Sequence, residues 1–202
     1  MRLPITFALT LALTMPFVAN AQDHHEHHQM AGDEQMGEEM AAHHAQMQAM
    51  FDRIAIEDLI VRYYAGLGSA HEEGFETYFT PDGVLDINGR VYHGQEGVTR
   101  AYQELGGADA LPEGTFHMLL SNAVINVAGD EATASFIWTG IINGDIKGPP
   151  RLVEQGREYD RLVRVDGHWL IAHRTIIADS GLPDIYDATY HPRHDYDIRA
   201  GE

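Results

Sequence analysis

FHMLLSNAVINVAGDEATASFIW, residues 116–138, holds two apolar runs of strand length joined by AGDE. Each run is rich in β-branched and aromatic residues, and Gly129-Asp130 is hairpin-turn chemistry, so the stretch reads as two long antiparallel strands. The pattern continues downstream. VEQGREYDRLVRV (153–165), the turn VDGH (165–168) and HWLIAHRTIIA (168–178) make a second pair. GPPR (148–151) reads as a loop without the glycine pattern of a phosphate cradle.

Upstream the period changes. Met50, Ile54, Ile56, Leu59, Ile60, Tyr63, Tyr64 and Leu67 recur at helical spacing, and Gly66 and Gly68 mark the end of that helix. HEEGFETYF (71–79) reads as a short second helix, TPDG (80–83) as a turn and VLDIN (84–88) as a strand. NGR (88–90) is a tight turn into VYH, and GQEGVTRAYQEL (94–105) returns to helical spacing. Helices first and a meander of long strands after predict one α+β domain, with helices on one face of a curved antiparallel sheet.

The flanks differ in composition. MRLPITFALTLALTMPFVANAQ has a positive start, an apolar run and an Ala19-Asn20-Ala21 cleavage pattern, which predicts a secretory signal peptide over 1–21 and a periplasmic product. Residues 22–48 carry six of the thirteen histidines and no aromatic residue. So polar a tract buries too little apolar area to offset its ordering entropy, and a disordered His/Met-rich linker is expected, helical at most near its end. His24, His25, His27 and His28 are candidates there for weak metal binding, and no metal is expected in the domain. The domain is expected over 49–180 and an irregular Tyr-rich tail over 181–202, placed to cover a pocket mouth. There are no cysteines, so a fold of this size relies on its own core. A formal charge of −18 argues against nucleic acid and against anionic membrane surfaces, leaving a small molecule as the expected ligand.

Two residues stand out chemically. His117 is a lone imidazole among Phe116, Met118, Leu119 and Leu120, readable as a site base or as a satisfied core or edge residue. Arg174 shares an alternating face with Leu170, Ala172 and Ile176, where a charge must be paired or meet an anionic ligand. Glu158 and Asp160 on the preceding strand are its candidate partners. Phe136, Trp138 and Tyr159 fall on either face, and Met50 and Met118 read as filler. Neither a nucleophilic cysteine nor a G-x-S-x-G elbow is present.

IAIEDLIVRYY (54–64), YFTPDGVLDINGRVYHGQEGV (78–98), FHMLLSNAVINVAGDEATASFIW (116–138) and GREYDRLVRVDGHWLIAHR (156–174) together resemble the SnoaL-like branch of the nuclear transport factor 2-like superfamily, over about residues 51–179. The resemblance implies a cone-shaped, strongly curved antiparallel sheet packed by the N-terminal helices around one mostly apolar pocket. It implies dehydratases, dehydrochlorinases, isomerases, cyclases, epoxide hydrolases and formaldehyde lyases as relatives, alongside non-catalytic subunits. Their dehydratase pattern maps a catalytic Tyr to Tyr63, an Arg to Arg174 and a His to His117, the last requiring a bulge or register shift. Gly68 stands where the pattern has its dyad aspartate, with His71, Glu72 and Glu73 near in sequence. The expected activity is a cofactor-independent lyase or isomerase, dehydrating a small hydroxylated aromatic molecule or releasing formaldehyde from it. His117, Arg174 and Tyr63 are its catalytic candidates, and Tyr64, Glu158, Asp160 and Trp138 its substrate-binding ones. A non-catalytic binding or scaffold module is the alternative, metal delivery by the linker a third reading, and a homodimer or homotrimer the expected assembly.

Overall fold

The computed structural model describes residues 22–67, 74–104, 114–181, 190–194 and 196–198, with side chains from residue 35 onward. The chain divides into two compact units, Met1–Ala45 and Gln46–Glu202. Helix α1 spans Gln22–Ala65, so the tract 22–48, expected to be helical at most near its end, is drawn out as helix along its length. Ala, Met, Gln and Glu recur through that stretch without a proline, and these are strong helix formers. Every side chain from Gln35 to Met50 is exposed, so local propensity, and not burial, accounts for this part of the helix. No described helix is long and apolar enough to cross a membrane.

In the second unit α1 becomes amphipathic. Asp52, Ile56, Ile60, Tyr63 and Tyr64 are buried, at the three-and-four spacing that puts them on one stripe. A 3-10 turn at Phe75–Tyr78 leads into β1 (Phe79–Ile87), β2 (Arg90–His93), α2 (Gly94–Glu104), β3 (Thr115–Ala128), β4 (Glu131–Asn143), β5 (Arg151–Val165) and β6 (His168–Ser180). The six strands form one curved, unclosed sheet in the order β2-β1-β6-β5-β4-β3. The meander is antiparallel as expected, but β1 pairs with β6 in parallel, so the sheet is mixed. The α+β architecture stands.

The turns follow their chemistry. Asn88 (φ 55°) and Gly89 (φ 87°) both occupy the left-handed region that a two-residue hairpin turn demands, as do Asp166 (φ 50°) and Gly167 (φ 82°). Thr80–Gly83, expected as a free turn, lies inside β1. Phe79 faces Ile171 and Val84 faces His173, so the intervening residues bulge from the ladder.

Two further bulges decide which side chains face the core. On β3, Ser121 pairs with Ile137 and Val124 with Ser135, and Asn122 takes φ 55°. On β6, Ile171 pairs with Leu162 and His173 with Arg161, which makes Ala172 the extra residue. Strict alternation would have grouped Leu170 and Ala172 with Arg174. The bulge instead puts Trp169 and Ile171 on the core side, followed by Arg174 and Ile176.

An ion-pair clamp fixes α1 to the β5–β6 hairpin. Arg164 donates from Nη1 and Nη2 to the two carboxylate oxygens of Asp52 at 2.7 and 2.6 Å, and Trp169 Nε1 donates to the same carboxylate at 3.3 Å. The guanidinium also lies 4.5 Å from the Trp169 ring centroid and bonds Asp130 at 2.9 Å. The Arg164 hydrogen bonds hold the Asp52 carboxyl below its ordinary value. Its contribution is therefore full above the unfolded carboxylate value of about 3.9 and is lost as pH falls through the lowered native one. Asp52→Ala is expected to lower unfolding free energy at pH 7 by about 1.5–3 kcal/mol, the range for hydrogen bonds to charged groups. Urea titrations should show that deficit shrinking below about pH 4.

Candidate active site

The sheet register assembles a polar cluster from three elements. Asp160 pairs laterally with Arg174, which pairs in turn with Leu85, while Glu158 pairs with Phe136 and Ile176. These two adjacent rows face the core side, where Tyr63 and Tyr64 arrive from the last turns of α1. Arg174, Glu158, Asp160 and Tyr63 are all fully buried.

Arg174 Nε donates to Asp160 Oδ1 at 2.8 Å and Nη2 to Asp160 Oδ2 at 2.9 Å, a bidentate pair. Nη2 also lies 2.9 Å from Glu158 Oε1, an ion-pair contact that lacks hydrogen-bond alignment, which leaves that oxygen unbonded. Nη1 is buried without a hydrogen-bond partner. Aromatic faces surround the guanidinium, whose Cζ sits 4.0 Å from the Tyr63 centroid, 5.7 Å from Tyr64 and 5.9 Å from Phe79. These contacts offset part of the lost hydration. The Tyr64 hydroxyl donates to Glu158 Oε2, and the Tyr63 and Tyr102 hydroxyls share a hydrogen bond. Phe75 stacks on Tyr102 with centroids 4.4 Å apart and tilts against Tyr63 at 5.1 Å.

Burial pushes the Glu158 carboxyl well above the carboxylate range, against the pull of Arg174 and with help from the neighbouring Asp160 charge. Burial likewise raises the Tyr63 and Tyr64 phenols, so both remain hydrogen-bond donors at neutral pH. Burial works against the Arg174 charge, and the Asp160 and Glu158 carboxyls outweigh it. The cluster thus sets an Arg174–Asp160 ion pair beside two phenols and a carboxyl that burial biases toward its protonated form. That is acid–base chemistry in an apolar setting.

The structure brings Tyr63, Tyr64, Glu158, Asp160 and Arg174 together. It does not bring His117. Met118 and Leu120 pack on the core, so His117 between them points to the opposite, exposed face of β3. The bulge anticipated for this strand exists, yet it lies after His117 and leaves the imidazole outside. Arg174, expected to hold an anion, already has two of its nitrogens on carboxylates. Phe136 and Trp138 lie on the core side, and Tyr159 on the outer one. The tail is also corrected. Arg193 pairs with Asp86 at 2.9 Å, and Tyr196 bonds Thr175 at 3.0 Å and meets the Tyr159 ring at 4.8 Å. Asp86, Thr175 and Tyr159 form one row on the outer face, so the described tail covers that face and not the Arg174 side.

Gly68, His71, Glu72 and Glu73 lie outside the described residues, as do the side chains of His24, His25, His27 and His28. Among the described residues no group of three or more His, Asp or Glu is placed to hold a metal ion. A cleft of about 320 Å³ between Gln46–Arg53 of α1 and Ile125–Val127 of β3 contains no acid–base pair and is remote in sequence from the cluster. Sequence reasoning missed Tyr102 and Glu154. Glu154 was within reach, since it shares the alternation of Glu158 and Asp160.

The raised Glu158 carboxyl has a measurable sign. The native state keeps a proton that the unfolded chain releases near pH 4.3, so this residue lowers stability progressively as pH rises above that value. Glu158→Gln does not titrate. Thermal melts from pH 4 to 9 should show its midpoint gaining on the wild type as pH increases, and parallel curves would refute a proton-bearing Glu158.

A family model for the SnoaL-like domain matches residues 48–175. Solved structures share the fold. One is a nuclear transport factor 2-like protein with a cystatin-like fold from Novosphingobium aromaticivorans, 20% identical over 68% of this chain and 88% of that one, with TM-score 0.58. A candidate scytalone dehydratase from the same organism is 19% identical over 73% and 96%, with TM-score 0.56. The beta subunit of a candidate aromatic-ring-hydroxylating dioxygenase, again from that organism, is 21% identical over 65% and 92%, with TM-score 0.54. No curated protein matches the chain. With residues 48–175 matched, strands in the order β2-β1-β6-β5-β4-β3 and a polar cluster on the helix-covered face, this chain belongs to the SnoaL-like family of the nuclear transport factor 2-like fold.

Proposed function

We propose that the domain is a cofactor-independent lyase or isomerase acting on a small hydroxylated aromatic molecule, with Glu158 and Tyr64 as its proton-handling pair. The observation that carries this reading is the Tyr64–Glu158 hydrogen bond, buried beside the Arg174–Asp160 couple and walled by aromatic rings. In elimination of water Glu158 gives its proton to the leaving hydroxyl as the C–O bond breaks, and the carboxylate so formed takes the proton from the neighbouring carbon, whose C–H electrons become the new double bond. Release of formaldehyde from a hydroxymethyl group breaks the ring carbon–carbon bond: Glu158 gives its proton to the ring carbon, and the carboxylate so formed takes the O–H proton as the carbonyl forms. Nη1 of Arg174, left without a hydrogen bond, is the guanidinium nitrogen free to meet a developing oxyanion. Asp160 holds that guanidinium in place. His117 has no part in this scheme.

A second reading has its own support. Arg174, Asp160 and Glu158 neutralise one another, as a structural cluster does, and the fold likeness to a dioxygenase beta subunit extends to 92% of that chain. A binding or scaffold module would use the same interior without turnover.

Mass spectrometry separates the two. Purified protein is incubated with aromatic diols, hydroxymethyl phenols and hydroxy-steroids, beside Glu158→Gln, Tyr64→Phe and His117→Ala. The expected product shows loss of water, loss of formaldehyde or no mass change. Glu158→Gln should slow its formation by roughly 10²–10⁴-fold, the usual scale for general acid–base groups. His117→Ala should leave the rate unchanged. Activity that depends on His117 and survives Glu158→Gln would move the site to the outer face of the sheet. Retention of panel members without turnover would favour the binding module.

A further inference from the structure

Resting on the reading of this interior face as the substrate site, we infer that Trp138 and Glu154 form a subsite for a hydroxyl group at the end of the substrate remote from Glu158. Along β5 the core-facing residues run Glu154, Gly156, Glu158 and Asp160. Trp138 pairs with Gly156, and its ring packs against that glycine. A Cβ at Gly156 would sit 2.3 Å from Trp138 Cζ2 and 2.7 Å from Cε2. The indole therefore occupies the gap between the two glutamates. At ~3.3 Å per residue, Glu154 and Glu158 are roughly 13 Å apart along the strand.

Both polar groups at this end are left without partners. Trp138 is 5% exposed and its Nε1 has no hydrogen bond. Glu154 is half-buried, and among the described residues its carboxyl takes part in no hydrogen bond or ion pair. Its side chain folds across Gly140. A Cβ there would meet Glu154 Cγ at 2.5 Å, Oε1 at 2.7 Å and Phe116 Cε2 at 2.9 Å. The missing side chain at position 140 thus makes the space that the carboxyl fills, beside an aromatic edge. Burial also raises the Glu154 carboxyl above its ordinary value.

Buried polar groups in native proteins are nearly always satisfied, so an unbonded indole N–H and an unbonded carboxyl on successive residue pairs of one sheet face call for a ligand that serves both. The indole only donates, so it requires an oxygen acceptor. The carboxyl requires a donor, or exchanges donor and acceptor when protonated. An ether oxygen answers the first and not the second. A carboxylate would be repelled by ionised Glu154. A hydroxyl answers both, and Phe116 offers the ring that carries it an apolar edge.

Ligand-observed NMR titrations of the full chain with p-cresol and its methyl ether, 4-methylanisole, test this directly. The wild type should bind p-cresol about tenfold more tightly, the scale of one hydrogen-bonded hydroxyl. Glu154→Leu should abolish that preference, Glu154→Gln should keep most of it, and Trp138→Phe should reduce it while retaining a ring. Equal affinity of the wild type for both probes, or no binding of either, overturns the subsite. So does a Glu154→Leu variant that weakens both probes alike, which would mark a packing role. Glu158→Gln provides the separation from the catalytic reading. Loss of turnover or its absence throughout the panel, with the cresol preference intact, leaves the subsite standing. Turnover without that preference does the reverse.

Discussion

A guanidinium with no exposure to water imposes the strongest constraint on this fold. Desolvating Arg174 costs several kcal/mol unless its charge is met and its donors are aligned, and the sheet register meets that demand by placing Asp160 directly across from it. The remaining side of the guanidinium faces π-clouds from Tyr63, Tyr64 and Phe79. Tyr63 and Tyr64 close the last turns of α1, so satisfying one arginine also fixes where that helix ends against the sheet. The clamp from Arg164 to Asp52 fixes the same helix three turns earlier, at about 3.6 residues per turn. Two ion pairs on neighbouring strands thus position one helix, and the interior chemistry inherits its geometry from them.

Strand irregularities do as much as composition to decide what the interior contains. Side-chain direction in a strand has period two, so a single inserted residue sends everything after it to the other face. Ala172 on β6 performs that exchange, putting Trp169 and Ile171 on the core side together with Arg174. On β3 the bulge at Asn122 lets Met118 and Leu120 before it and Ile125 and Val127 after it all face inward. His117 is left outside by the same parity. Mid-strand glycines add a second level of control: Gly156 admits the Trp138 ring and Gly140 the Glu154 side chain, where any Cβ would collide.

The long strands, their hairpin turns and the buried Arg174 were legible because each depends on local pattern: alternation, Asn-Gly and Asp-Gly chemistry, and one charge in an apolar run. Glu158 and Asp160 were legible as partners because a buried charge restricts its neighbours. The β6 bulge was not, since Ala172 carries no signal that separates an inserted residue from a paired one, and alternation therefore grouped Leu170 and Ala172 with Arg174. On β3 a bulge was expected, but its position was not legible, and it falls after His117 and leaves that residue outside. Parallel pairing of β1 with β6 was hidden too, because a short strand at the N-terminal side of a meander fits either edge by pattern alone. Over 22–48 polarity spoke against a buried core and was read as disorder, while the Ala, Met, Gln and Glu content supports a helix whose side chains are exposed from Gln35 to Met50.

Two carboxyls share one guanidinium here, and that stoichiometry bears on what the interior can accept. Arg174 supplies a single positive charge, and Asp160 takes it through two hydrogen bonds. Ionised Glu158 would leave the cluster with net negative charge in a water-excluded space, where like charges a few ångströms apart repel strongly. A proton on Glu158, whose other oxygen accepts from the Tyr64 hydroxyl, makes the cluster neutral. An anionic substrate placed beside it would restore the imbalance that this proton removes, because no second basic group is available on the neighbouring strand positions: Leu85, Phe136 and Ala134 are apolar. A neutral molecule adds no such burden, and a hydroxyl gives the Glu158 proton an oxygen to move to. The charge balance of the interior therefore weighs against a further negative charge beside Glu158.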